Sequence, residues 1–292
     1  MTSTNSNPPQ PLEDVRILSL ALNLPGPAAL MRCRKMGATC IKLEPPGGDP
    51  MSHYNKAAYA QLHEGLKVLT ADLKTEAGQQ TLHCELASAE VLLTSFRPSA
   101  IEKLGLGWEE LHRLYPVLSQ IAIVGSPGER AEEPGHDLTY LADNGLVPGL
   151  ELPATLYADM AGSLMASEAA LQAVMTQRIS GKGVFIELAL SDAAAYLALP
   201  RHWGLTQPDG AVGGAHAGYR VYACKDGRVA VAALEPHFAA ALCAAAGVAA
   251  SDIRSLLKPD TRQQIEGFLL TQTRQELKTL ALAKDIPLHT MA

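Results

Sequence analysis

The feature that most constrains this chain is an alternation of short apolar runs with helical patterns through its first two-thirds. Val15 to Leu20 reads as a strand. Pro27 to Met36 reads as a helix, with Pro27 in its first turn and Gly37 just past its end, the usual placement of these two residues around a helix. Thr39 to Leu43 reads as a second strand, broken by Pro45-Pro46-Gly47-Gly48. Val68 to Ala71, Val91 to Thr94 and Val117 to Val124 read as further strands, with helices over Thr75 to Ala87 and after Pro98 between them. Strands that alternate with helices build βαβ units. The expected fold class is α/β, with a Rossmann-like, mostly parallel sheet. Open sheets of this kind bind ligands at the carboxyl ends of their strands.

Beyond the alternation the pattern changes. Asp159 to Arg178 is one long helical stretch rich in Ala and Met, ended by Ser180-Gly181-Lys182-Gly183. Phe185 to Leu190 reads as a strand, and Ser191-Asp192 suits the cap of a following helix. Residues 204–218 are rich in glycine and read as a hinge. Tyr219 to Cys224 and Val229 to Ala233, joined through Lys225-Asp226-Gly227, read as a β-hairpin. The rest of the chain reads as helical. The 292 residues suit two domains at ~150 residues each. We expect a large domain over 1–203 and a smaller α+β domain, hairpin plus helices, over 204–292.

Charge and composition exclude several classes. Lys and Arg number 24 against 30 Asp and Glu, a net charge of -6, the wrong sign for a nucleic-acid footprint. No run of about 20 apolar residues is present, so no membrane span is expected. Residues 1–11 read as a polar, disordered tail without a secretory signal. The five cysteines form no Cys-x-x-Cys pair and read as reduced thiols of a cytoplasmic protein. There is no G-x-G-x-x-G after a strand, no Walker loop, no H-E-x-x-H, no G-x-S-x-G and no metal-spaced Cys/His cluster. By these signals alone the chain is an α/β protein suited to a small-molecule substrate, with no metal expected.

A series of motifs in fixed order says more. Leu24-Pro25-Gly26-Pro27 follows the first strand. Met36-Gly37-Ala38-Thr39-Cys40-Ile41-Lys42-Leu43-Glu44-Pro45-Pro46-Gly47-Gly48-Asp49-Pro50 spans the second. Then come Ala71-Asp72-Leu73-Lys74 with Gly78, Ser95-Phe96-Arg97-Pro98-Ser99 with Leu104-Gly105-Leu106, and Ser180-Gly181-Lys182-Gly183. In this order the chain resembles the class III CoA-transferase family. Gly135-His136-Asp137-Leu138-Thr139-Tyr140 and Leu234-Glu235-Pro236-His237-Phe238 resemble its α-methylacyl-CoA racemase branch, while the mobile glycine loop of the transferases is reduced to Gly213-Gly214.

The resemblance implies an acyl-CoA substrate and no cofactor beyond the coenzyme A it carries. It places CoA contacts at Leu24, Pro25, Lys42, Pro45, Ala71, Asp72, Leu73, Lys74, Ser95, Phe96, Arg97, Lys103, Gly125 and Asp137, with Lys67 a further cation. Guanidinium and ammonium groups suit the CoA phosphates. Ser95 stands where the family usually has Asn. Asp159 alone reads as a helix cap. By resemblance it is the nucleophile of a transferase, or the partner of His136 in exchanging an α-proton, with Glu235 orienting His136 and helix amides at Asp159 stabilising an enolate. The helix N-terminus is expected to favour the ionised form of Asp159. A CoA-binding relative without activity is the remaining reading. A homodimer, interlocked in the family, is implied, although the chain stops short of the family's usual return to the first domain. The other histidines, 53, 63, 83, 112, 202, 216, 237 and 289, are expected on the surface.

Overall fold

Each apolar run of the first half is a strand, and the most apolar of them lie innermost. The computed structural model describes residues 10–249 and 253–292. It divides into two compact units, Met1–Ala198 and Leu199–Ala292. In the first, strands β1 (Arg16–Ser19), β2 (Thr39–Glu44), β3 (Lys67–Thr70), β4 (Val91–Thr94), β5 (Ser119–Val124) and β6 (Phe185–Ala189) form one parallel sheet in the order β3-β2-β1-β4-β5-β6. The winding direction reverses between β1 and β4, and such a reversal leaves a crevice at the carboxyl ends of those strands. The edge strands β3 and β6 carry most of the exposed positions, whereas every residue of β4 is buried. A charged residue such as Lys67 suits an edge.

Period-two alternation sorts the side chains between two layers. Ile17, Val91, Leu93, Ile121 and Ile123 point to the layer containing Leu30 and Cys33 of the helix Pro25–Lys35 and Ala166, Ala170 and Val174 of the helix Tyr157–Ser180. Leu18, Ile41, Leu43 and Leu92 point to the opposite layer, with Leu82 and Leu86 of the helix Glu76–Leu86, Ile101 of Pro98–Lys103 and Leu111 of Trp108–Leu114. The long helix presents small side chains to its neighbours. A Cβ on Gly162 would come within 2.3 Å of Leu190 Cδ2, so close approach fixes the rotation of this helix, and Asp159 lies on the same face one turn earlier. Thr75 caps the helix Glu76–Leu86 by accepting from the Gly78 N–H at 3.1 Å. A side chain at 78 would meet the Asp72 carbonyl oxygen at 1.9 Å, which accounts for the glycine in that motif.

The second unit is built on an antiparallel sheet of β7 (Tyr219–Cys224), β8 (Gly227–Ala232) and β9 (Leu288–Met291), in that order. Helices Pro236–Ala245, Pro259–Thr271 and Arg274–Lys284 cover it. The closing segment is therefore not helical to its end, as its sequence suggests. The four residues of β9 gain their conformation from pairing with β8, a long-range effect. Of the expected tail, residues 1–9 lie outside the described residues. Leu12 is fully buried, and its N–H donates to the Met36 carbonyl at 2.9 Å.

All five cysteines are free, and only Cys84 is exposed. Burial pushes the thiols of Cys33 and Cys40 up to about 12. Two histidines expected on the surface are buried, His63 and His216. His216 Nδ1 accepts from the Gly218 N–H at 3.0 Å. No helix among the described residues is long and apolar enough to cross a membrane.

Candidate active site

The crevice between β1 and β4 opens into a cavity of about 570 Å³. Its walls come from the loops after β1, β4 and β5, the segment Gly135–Tyr140 and the start of the helix Tyr157–Ser180. The β1 loop is tied to side chains: the Ala21 N–H donates to Ser19 Oγ at 3.2 Å and the Leu22 N–H to Ser95 Oγ at 3.1 Å. Ser95 thus serves as a backbone anchor. The helix after this loop starts with Pro25-Gly26-Pro27. Proline has no N–H, so two of its first three positions offer no donor. A helix start of this kind lacks the amide cradle with which dinucleotide folds hold a pyrophosphate.

Asp159 sits in the first turn of the long helix. Its N–H donates to Asp137 Oδ1 at 2.9 Å, so that amide is already engaged and is not a free donor for an enolate. Asp137, expected to touch CoA, is only 5% exposed and acts as a carboxylate cap on this helix. Burial first, and then the Asp137 charge, push the Asp159 carboxyl up to about 6, with His136 pulling the other way. This reverses the expected direction. Desolvation and a second carboxylate outweigh the helix terminus, whose amide Asp137 has occupied.

His136 precedes the helix Asp137–Asp143, where its N–H donates to Thr139 Oγ1 at 3.0 Å. The imidazole is exposed. Beside it, Tyr140 is held between two glycines. A Cβ on Gly125 would lie 2.4 Å from the Tyr140 hydroxyl oxygen, and one on Gly135 2.6 Å from the same atom. Burial and Asp159 raise the Tyr140 phenol, while Arg97 lowers it.

The cations divide into two groups. Arg97, Lys74 and Lys103 are exposed and unpaired among the described residues. Gln79 Nε2 donates to the carbonyls of Leu73 at 2.6 Å and Leu104 at 3.4 Å, which ties together the segments carrying Lys74 and Lys103. Lys67 pairs with Glu85 at 3.4 Å. Lys42, expected on a CoA phosphate, is fully buried and bound to Asp49 and to Glu44, the latter at 3.2 Å. Alternation along β2 turns it inward, away from any solvent-borne phosphate. Glu44, Asp49 and His63 together have the spacing of a metal site, but they converge on the Lys42 ammonium, which supplies the positive charge there. Of the remaining expected contacts, Leu24, Pro25, Phe96 and Gly125 line the cavity. Ala71 is buried, whereas Pro45 and Asp72 are exposed and Leu73 is half-buried. Glu235 belongs to the second unit, where it precedes the helix Pro236–Ala245 without capping it through its side chain.

Comparison with known proteins matches residues 12–292 to the profile of CoA-transferase family III. The chain belongs to that family. Among family III relatives, succinyl-CoA–D-citramalate CoA-transferase of Chloroflexus aurantiacus is 32% identical over 211 residues, 66% of this chain and 52% of the relative. Alpha-methylacyl-CoA racemase of Homo sapiens is 28% identical over 287 residues, 91% of this chain and 73% of the relative. The crystal structure of Rv3272 from Mycobacterium tuberculosis superposes with a TM-score of 0.85 at 25% identity, covering 97% of this chain and 84% of that one. The chain thus spans about half the length of the transferase it matches. A further hollow of about 650 Å³ lies over one face of β5 and β6, lined by Trp108, Phe185 and exposed carboxylates. It does not contain Asp159.

Proposed function

We propose that this family III chain binds an acyl-CoA and exchanges the α-proton of a 2-methylacyl thioester between His136 and Asp159, as a racemase does. The observation that carries this reading is the Asp159 carboxyl, raised to about 6 in a cavity that the exposed His136 also lines. A group with a pKa near the working pH both gives and takes a proton efficiently. With Asp159 protonated, neutral His136 takes the α-proton from one face, and the C–H electron pair passes into the thioester as an enolate. Asp159 returns a proton to the opposite face, leaving a carboxylate and an imidazolium. Substrate of the other hand uses the pair in the reverse sense. Arg97, Lys74 and Lys103 are the free charges available to the CoA phosphates, each suited to charge-assisted hydrogen bonds. The likeness to the human racemase over 91% of this chain supports the same reading.

A second reading rests on the stronger likeness, 32%, to a CoA-transferase. In it the Asp159 carboxylate attacks the thioester carbonyl, forming a mixed anhydride and expelling CoA thiolate. The thiolate attacks the aspartyl carbonyl and releases the donor carboxylate. An incoming carboxylate attacks the resulting aspartyl thioester to form a new anhydride with loss of CoA thiolate, and the thiolate then takes the new acyl group and frees the Asp159 carboxylate. One experiment separates the two. The protein is incubated with a 2-methylacyl-CoA in D₂O and deuterium at C2 is followed by NMR, with and without an added carboxylic acid. Exchange without added acid supports proton transfer. No exchange, with CoA moving to the added acid, replaces it with transfer. Neither activity, with CoA bound, leaves a binding protein.

A further inference from the structure

The Lys42 cluster is buried beneath the cavity and reaches it through one carboxylate. His63 Nδ1 lies 2.7 Å from the Tyr59 carbonyl oxygen. A carbonyl only accepts, so Nδ1 carries the proton and Nε2 is left to accept from Lys42 Nζ, also at 2.7 Å. Glu44 Oε1 stands 3.2 Å from the same ammonium and receives the Tyr59 hydroxyl at 2.9 Å. Asp49 is the third partner of Lys42. The ammonium thus has two hydrogen-bond partners, Asp49 and His63, and an ion pair with Glu44, and the Asp49 carboxylate is held in place from below.

Above, the same carboxylate holds backbone. The Asn23 N–H reaches both Asp49 oxygens at 3.1 Å, and the Met51 N–H donates to Oδ1 at 2.9 Å. Asn23 has φ +64°, a left-handed conformation that residues with side chains adopt sparingly. Leu22, Asn23 and Leu24 form one wall of the cavity, and Met51 and Tyr54 contribute to another. A single buried carboxylate therefore ties two walls together and fixes the unfavourable turn in one of them.

We propose that Asp49, clamped by Lys42, is a positioning residue for the acyl-CoA pocket: it sets the Asn23 turn and joins the β1 loop to the Met51–Tyr54 segment. The proposal rests on the reading of this cavity as the acyl-CoA site. The test follows hydrogen exchange of the full chain at the backbone amides of residues 20–26, and the affinity for free coenzyme A by calorimetry. The variants are Asp49→Asn and the double variant Lys42→Met with Asp49→Leu. The double variant replaces a buried ion pair with apolar groups, a change that buried pairs commonly tolerate, and so keeps the test open if the single variant fails to fold. The expected result is exchange faster by about tenfold at residues 20–26, because the amide loses its charged acceptor. Coenzyme A binding weakens by about tenfold as well, in the single and the double variant alike. Parent-like exchange in both variants overturns the proposal, as does faster exchange with parent-like affinity. If the parent itself does not bind coenzyme A, the functional reading fails, and the exchange arm alone then decides whether Asp49 sets the turn.

Discussion

Two charged clusters lie side by side in the first unit, and they differ in how many of their groups have partners. Around Lys42 two carboxylates and an imidazole close on the ammonium, which is fully buried. Around Asp159 the carboxyl is crowded by Asp137, the His136 imidazole is exposed, and the Arg97 guanidinium is exposed and unpaired among the described residues. Saturation is what a structural cluster needs, because an unpaired buried charge is costly. Unspent capacity is what a reacting group needs, because its partner arrives with the substrate. On the proposed reading the contrast separates roles that residue type alone does not, since both clusters combine carboxylates, a histidine and a cation.

Substitutions test the contrast by whether they damage the fold or the chemistry. His136→Ala is expected to reduce α-proton exchange by ~10²–10⁴-fold, the usual worth of a general base, with the melting temperature unchanged. Exchange that survives, measured by NMR in D₂O, would remove His136 from the mechanism. Lys42→Ala should do the reverse, lowering stability by about 3–5 kcal/mol in denaturant titrations because it strands buried carboxylates. A mild effect would mean that the cluster is not the saturated one described.

Asp159→Asn probes the cost of the unsaturated site. The folded carboxyl is raised to about 6, so the wild type has its full stability below the unfolded carboxylate range and loses some as pH climbs through 6. The asparagine variant does not titrate. Its advantage should grow between pH 4 and pH 8 to about 2 kcal/mol, read from melting temperatures across that range. A constant difference would show that the carboxyl is not perturbed. Arg97→Ala, the mildest change, should weaken coenzyme A binding by about tenfold through loss of charge-assisted hydrogen bonds and leave stability within error.

How much of this the sequence disclosed follows from the range of each interaction. The parallel sheet was legible because strand and helix periods alternate locally. Asp159 and His136 were legible through motif order, and the structure brings both to one cavity. The inward turn of Lys42 was half-legible, because alternation along Thr39-Cys40-Ile41-Lys42-Leu43-Glu44 puts Lys42 and Glu44 on one face. Its partners Asp49 and His63 come from a loop and a helix end, and nothing local announces their convergence. The capping role of Asp137 depends on a contact 22 residues away. The raised Asp159 carboxyl depends on burial, which a sequence motif does not report.

The phenol of Tyr140 is set between Gly125 and Gly135, each too close to it for a methyl group. The contour of this end of the pocket is therefore written in two missing side chains. An alanine at either position would leave Asp159 and His136 unchanged and still press on the ring, which lines the same cavity. On the proposed acyl-CoA reading, selectivity among acyl groups becomes a property of backbone clearance, adjustable one carbon at a time without touching a single polar atom.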